Sequence, residues 1–292
     1  MRAWIGTLAA FAASGCAIAI DEAVVFRPQE RASSWGDEPN DGIAGERHFA
    51  DPDGYPADHG LVADVRHERV GDLRTSLVTL PDGAADRPLI VHCFGNGSDR
   101  WRSGLKYGRK LVPYGDVLLF DYPGYNGAPG APTPAAFEAQ ADAVAAHART
   151  AYPERARIYW GHSLGGFVCA EVASRDPGAA GLVLETTAPD VGAVTKAWVP
   201  WYAKPVLRPK IARSLLAYDT PRTAAATGVP VLVIGAGADE VLPVALSREL
   251  AARLEAADAD ATYAELAEAG HFDTQDHDGF DAAVRGFLAR VK

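Results

Sequence analysis

The stretch Ile158-Tyr159-Trp160-Gly161-His162-Ser163-Leu164-Gly165-Gly166 constrains this chain more than any other. An apolar run enters a Gly-x-Ser-x-Gly turn, and a helix is expected to begin near Leu164. A serine on so tight a strand-to-helix turn needs small residues two before and two after it, because the backbone folds back on itself there. The turn lifts the Ser163 hydroxyl clear of the strand. The helix N-terminus aims the amide of Leu164 at any negative charge that develops beside it. Such a pattern arises by chance about 0.1 times in a chain of this length. Its weight therefore rests on the strand and helix around it and on partners downstream.

The surroundings supply that context. Residues 61–70 and 73–80 alternate about Gly71-Asp72, which predicts a β-hairpin. Residues 88–93 and 117–121 are continuous apolar runs, as expected of strands buried on both faces of a parallel sheet. Helices are expected at 101–112, 135–152, 164–175, 243–256 and 280–291, and further strands at 156–161, 181–185, 230–235 and 261–266. Strands alternating with helices indicate βαβ crossovers and a mostly parallel sheet. The rhythm breaks at about 187–228, a segment carrying Trp198, Pro200, Trp201, Tyr202 and Pro205. An insertion there would lie over the carboxyl ends of the strands, where open α/β sheets bind ligands. Its aromatics either line an apolar acyl pocket or form the small core that holds the insertion in place.

Two candidate partners for Ser163 follow strand ends. Asp239 comes just after the run 230–235, with Glu240 as its fallback, and His271 follows Gly270 just after 261–266. A serine hydroxyl is a weak nucleophile until an imidazole takes its proton. The imidazole in turn needs a carboxylate to set its tautomer and stabilise its cation. The order Ser163, Asp239, His271 is one of the known chain orders for that trio. Phe94-Gly95-Asn96-Gly97-Ser98 follows the central strand at 88–93, and its glycines let backbone amides approach a ligand closely. The amide of Asn96 is the candidate second oxyanion donor beside that of Leu164. His162 is expected to point away from Ser163.

Met1-Arg2 and the uncharged run 3–20 fit an export signal or a membrane anchor. Within it, Ala13-Ser14-Gly15-Cys16 resembles a bacterial lipobox, which makes Cys16 a lipidation candidate. The protein is accordingly expected to be exported to the cell envelope, tethered at its N-terminus or periplasmic, with one domain over 21–292. A net charge of −10 on 292 residues argues against nucleic-acid partners. The acidic clusters at 37–42 and 51–54 lack the alternating ligand spacing of a calcium loop and read as solvated turns; no metal site is expected there or around His277. Three cysteines are too few for a disulfide framework, and Cys93 reads as an inert core thiol.

These motifs together resemble the α/β-hydrolase superfamily, specifically small serine hydrolases with a short cap, over residues 21–292. The resemblance rests on Phe94-Gly95-Asn96-Gly97-Ser98, Asp121-Tyr122-Pro123-Gly124-Tyr125, the Ser163 turn, Gly237-Ala238-Asp239-Glu240-Val241-Leu242-Pro243 and Gly270-His271. Phe94 stands where family members usually carry histidine. The resemblance implies a mostly parallel eight-stranded sheet with helices on both faces. It implies hydrolysis of a small acyl ester or thioester through an acyl-enzyme, without a cofactor. A peptidase of the same fold and a non-catalytic envelope binding protein are the competing readings; an intact trio argues against the second.

Overall fold

The computed structural model describes residues 19–28, 46–48, 63–98, 100, 105–126, 128–200, 202–203, 207 and 209–291. The lipidation candidate Cys16, both acidic clusters, Trp201 and Pro205 lie outside the described residues. No described helix is long and apolar enough to cross a membrane.

In chain order the strands are β1 (Ala19–Ile20), β2 (Glu46–His48), β3 (Asp64–Val70), β4 (Leu73–Thr79), β5 (Leu89–Cys93), β6 (Asp116–Phe120), β7 (Arg157–His162), β8 (Ala179–Glu185), β9 (Lys210–Ile211), β10 (Val231–Ala236) and β11 (Ala261–Leu266). The helices are α1 (Glu22–Val25), α2 (Leu105–Leu111), α3 (Pro134–Ala151), α4 (Leu164–Ser174), α5 (Val191–Trp198), α6 (Thr220–Thr227), α7 (Ala245–Ala256) and α8 (Phe280–Leu288). The main sheet has the order β11-β10-β8-β7-β5-β6-β4-β3-β2. Its six strands from β11 to β6 are parallel, and β4, β3 and β2 are antiparallel additions at one edge. The ninth strand, β2, falls in a stretch where the sequence shows no strand pattern.

The apolar runs behave as expected. Every residue of β5, β6, β7 and β10 is buried, while β11, at the sheet edge, has mixed exposure. Alternate residues of β5 feed two separate cores, Leu89 and Val91 on one face and Ile90 on the other. On the first face lie side chains of α3, α4 and α7, such as Val144, Val168 and Leu250; on the second lie those of α2 and α8, such as Leu111 and Val284. The register then aligns the strand ends. Cys93 pairs with Gly161, Gly161 with Leu184, Leu184 with Val233, and Val233 with Tyr263. One rung crosses five parallel strands, so the loops after β5, β7, β8, β10 and β11 emerge together.

One expectation is corrected. Cys93 is not a free core thiol; it is disulfide-bonded to Cys169 across a sequence separation of 76. The bond ties the last residue of β5 to α4. Spacing along the chain carries no information about this pair, because the strand and the helix meet only when the sheet forms.

The apolar residues of the 187–228 segment serve two roles. Val199, Ala203 and Leu207 form a small cluster, of which Val199 also lines a cavity beside Ser163. Trp198 is exposed along one side and lines the same cavity, its Nε1 donating to the Val241 carbonyl at 2.8 Å.

Candidate active site

Ser163 sits between β7 and α4 with φ 56° and ψ −120°, a left-handed backbone that non-glycine residues adopt rarely. The flanking glycines make this possible by close approach. A Cβ on Gly165 would lie 1.9 Å from the Cys93 carbonyl oxygen, and one on Gly161 would lie 2.2 Å from the Gly165 oxygen. One on Gly166 would meet Thr187 Oγ1 at 2.3 Å. The turn is held from outside as well. The Ser163 amide donates to the Glu185 carbonyl at 3.0 Å, and Thr187 Oγ1 donates to the Ser163 carbonyl at 2.7 Å.

Asp239 and His271 meet as a dry pair. His271 Nδ1 lies 2.6 Å from Asp239 Oδ2, with side-chain exposures of 3% and 1%. The other oxygen, Oδ1, accepts the amides of Val241 and Leu242 at 2.7 and 2.8 Å. One carboxylate oxygen is thereby locked by its own loop and the other is left for the imidazole, an arrangement that orients the ring through Nδ1. Glu240, the fallback, is exposed. His271, Ser163, Leu164 and Asn96 all line one cavity of about 300 Å³.

Two further groups hold the His271 loop, and sequence reading does not single out either for this task. His162 is buried and donates from Nε2 to the His271 carbonyl at 2.7 Å. Burial, then the neighbouring His271, holds His162 well below the ordinary histidine range, so it stays neutral. Glu185, fully buried at the end of β8, accepts from Trp160 Nε1 at 2.7 Å and from Gln275 Nε2 at 2.6 Å, and also from Thr274 Oγ1. Burial raises its carboxyl above the usual range even though the Thr274 and Trp160 donors pull it back. Thr274 and Gln275 form the 3₁₀ turn directly after His271, so Glu185 anchors that turn to the sheet. The signal available in sequence is a lone carboxylate closing an otherwise apolar strand.

The loop after β5 lies against the turn: a Cβ on Gly95 would be 3.3 Å from Ser163 Cβ. Phe94, in the position usual for histidine, is buried against Tyr122 with ring centroids 4.5 Å apart, and Tyr122 Oη donates to its carbonyl at 2.8 Å. The Asn96 side chain is engaged elsewhere. Its Oδ1 accepts the Arg27 amide and the Tyr125 hydroxyl, both at 2.9 Å, and its Nδ2 donates to the Val25 carbonyl at 2.6 Å.

A family model described as the alpha/beta hydrolase fold matches residues 89–206. Two uncharacterised proteins of Mycobacterium tuberculosis, from strains H37Rv and CDC 1551, are each 35% identical over 222 residues, 70% of this chain and 70% of theirs. Among solved structures, an esterase of Pyrococcus furiosus superposes with a TM-score of 0.58 at 17% identity, covering 81% of this chain and 93% of that one. The acylaminoacyl peptidase of Pyrococcus horikoshii superposes at 0.57 with 12% identity, covering 79% of this chain and 42% of that one. At these identities the two likenesses concern the fold.

Proposed function

This chain belongs to the α/β-hydrolase superfamily, and we propose that it is an exported serine hydrolase that cleaves carboxylic esters or thioesters through an acyl-enzyme. The observation that carries this reading is the buried His271–Asp239 pair facing the same cavity as a serine on a positive-φ turn. In this mechanism Ser163 Oγ attacks the acyl carbon while His271 Nε2 takes its proton. Asp239 holds the Nδ1 proton and stabilises the imidazolium. The amides of Leu164 and Asn96 receive the oxyanion, each such donor being worth about 3 kcal/mol. Collapse breaks the bond to the leaving oxygen or sulfur, which takes the proton from His271. Water then repeats the sequence on the acyl-enzyme and frees the acid. Nothing in this chemistry calls for a cofactor.

Two observations support the cellular side of the proposal. A disulfide between Cys93 and Cys169 suits an oxidising compartment, and the N-terminal run with Cys16 has the pattern of an exported, lipid-anchored protein. Mass spectrometry of the mature N-terminus tests it: a lipid-modified chain starting at Cys16 is expected, and an unmodified chain starting at Met1 overturns it.

The catalytic proposal is tested by labelling the protein with a fluorophosphonate probe. Wild type is expected to label, and Ser163→Ala and His271→Ala are expected not to. Absence of labelling in the folded wild-type protein would overturn the enzyme reading.

A further inference from the structure

The wall of the cavity contains a segment remote in sequence from every motif. Ile20, Val24, Val25, Phe26 and, at the far end, Arg27 line the same space as Ser163 and His271, together with Val194, Trp198 and Leu242. The segment is built into the fold. β1 pairs in parallel with β9, and the Ile20 carbonyl accepts the Ala212 amide at 2.8 Å. Ser214 Oγ donates to Glu22, and Phe26 is buried against Phe137 with ring centroids 4.8 Å apart. At its far end the Arg27 amide donates to Asn96 Oδ1, and Asn96 Nδ2 donates to the Val25 carbonyl. The last link joins the segment directly to the loop that carries the candidate oxyanion donor.

We infer that residues 19–27 form a substrate-binding strap: Ile20, Val24 and Val25 set the length of the aliphatic acyl group that the site accepts. This rests on the serine-hydrolase reading above. The chemistry of the wall defines the acyl class, because side chains of Ile and Val offer nothing but apolar contact. The cavity of about 300 Å³ is about twice the size of an apolar cavity that takes up benzene, which leaves room for about a dozen carbon-sized atoms. That is a medium-length chain. An apolar pocket discriminates each methylene by roughly 10-fold or more when a wall closes on it. A wall borrowed from the N-terminal segment therefore gives residues remote in sequence from Ser163 control over chain length. The two hydrogen bonds to Asn96 also couple the strap to the oxyanion loop.

The test uses the full-length chain and a series of p-nitrophenyl esters from acetate to dodecanoate. Val24→Phe, which fills the pocket from the strap side, is expected to lower the octanoate-to-acetate ratio of kcat/KM about 10-fold. Val24→Ala and Ile20→Ala are expected to move the optimum toward longer chains. Val70→Phe, on the exposed end of the hairpin, serves as a control and is expected to keep the wild-type ratio. A general loss of stability changes all rates together, whereas a wall residue changes their ratio. Wild-type ratios in all three strap variants, with Ser163 still labelled by fluorophosphonate, would overturn the strap alone. Failure of the wild type to label or to cleave any ester would overturn the hydrolase reading, and the strap inference falls with it.

Discussion

The sheet edge that carries Ser163, Asp239 and His271 and the cavity wall are built in opposite ways. The edge is made of strand ends held in one rung, with Gly161, Gly165 and Gly166 packed so closely that a single added carbon collides with backbone or with Thr187. Its groups are buried and cross-braced: Asp239 by its own loop, His271 by Asp239 and His162, and the turn after His271 by Glu185. The wall includes short, partly exposed pieces, the two-residue β1, the four-residue α1 and the half-exposed Trp198, brought from residues 20 to 242. The proposed chemistry demands a fixed geometry, and the edge belongs to the most regular part of the fold. Substrate choice demands only shape, and irregular segments supply that.

The contrast predicts that changes at the edge act on kcat or on stability and changes at the wall act on KM. The largest effect belongs to the edge. His271→Ala is expected to lower kcat about 10^5-fold with little change in KM, read by steady-state hydrolysis of a p-nitrophenyl ester. A KM effect of similar size would erase the distinction. Next comes the clamp beneath the edge. Replacing both Cys93 and Cys169 by alanine reopens a loop of 76 residues, a change of about 4 kcal/mol on the loop-closure estimate. Urea denaturation of the double variant against wild type measures it, and chain-length preference is expected to stay unchanged.

The third effect is a pH dependence. His92 is buried, and burial lowers it from 6.5 to about 4, its Nδ1 donating to the Trp160 carbonyl at 3.1 Å. Between pH 6.5 and about 4 the unfolded chain takes up a proton here that the folded chain refuses. Stability therefore falls as pH falls through that window, in total by on the order of 3 kcal/mol. His162 acts with the same sign. Glu185 acts with the opposite sign above pH 4.5, because its folded form holds a proton that the unfolded chain releases. In His92→Gln the dependence on pH between 6.5 and 4 is expected to be shallower than in wild type, checked by urea midpoints across that range. The smallest effect is at the wall. Trp198→Ala is expected to raise KM for a medium-chain ester about fivefold, about 1 kcal/mol of lost contact, with kcat nearly constant.

Much of this is legible in the sequence alone, for reasons that differ from residue to residue. The Gly-x-Ser-x-Gly turn is local, because its glycines are needed within four residues of one another. Asp239 and His271 were legible because each follows an apolar run that reads as a buried strand, and parallel strands place their following loops on one edge. The Cys93–Cys169 bond and the bracing by Glu185 were not legible: each joins elements adjacent only in the folded sheet. β2 was missed because a three-residue edge strand carries too little alternation to stand out. The place of Ile20, Val24 and Val25 was hidden for another reason. Ile20 ends the run that reads as an export signal, and Val24 and Val25 follow it in a stretch with too few apolar residues to show a periodicity.

By itself, then, the sequence determined the alternation of buried strands and helices, the strained serine turn and the order of the three polar groups, because hydrophobic periodicity and glycine spacing act over short distances. Only the tertiary structure decided which cysteines join, which carboxylate steadies the histidine loop and which segments wall the cavity. Those depend on register across the sheet and on how a distant segment is laid over its edge, and neither is written in the spacing of any one stretch of chain.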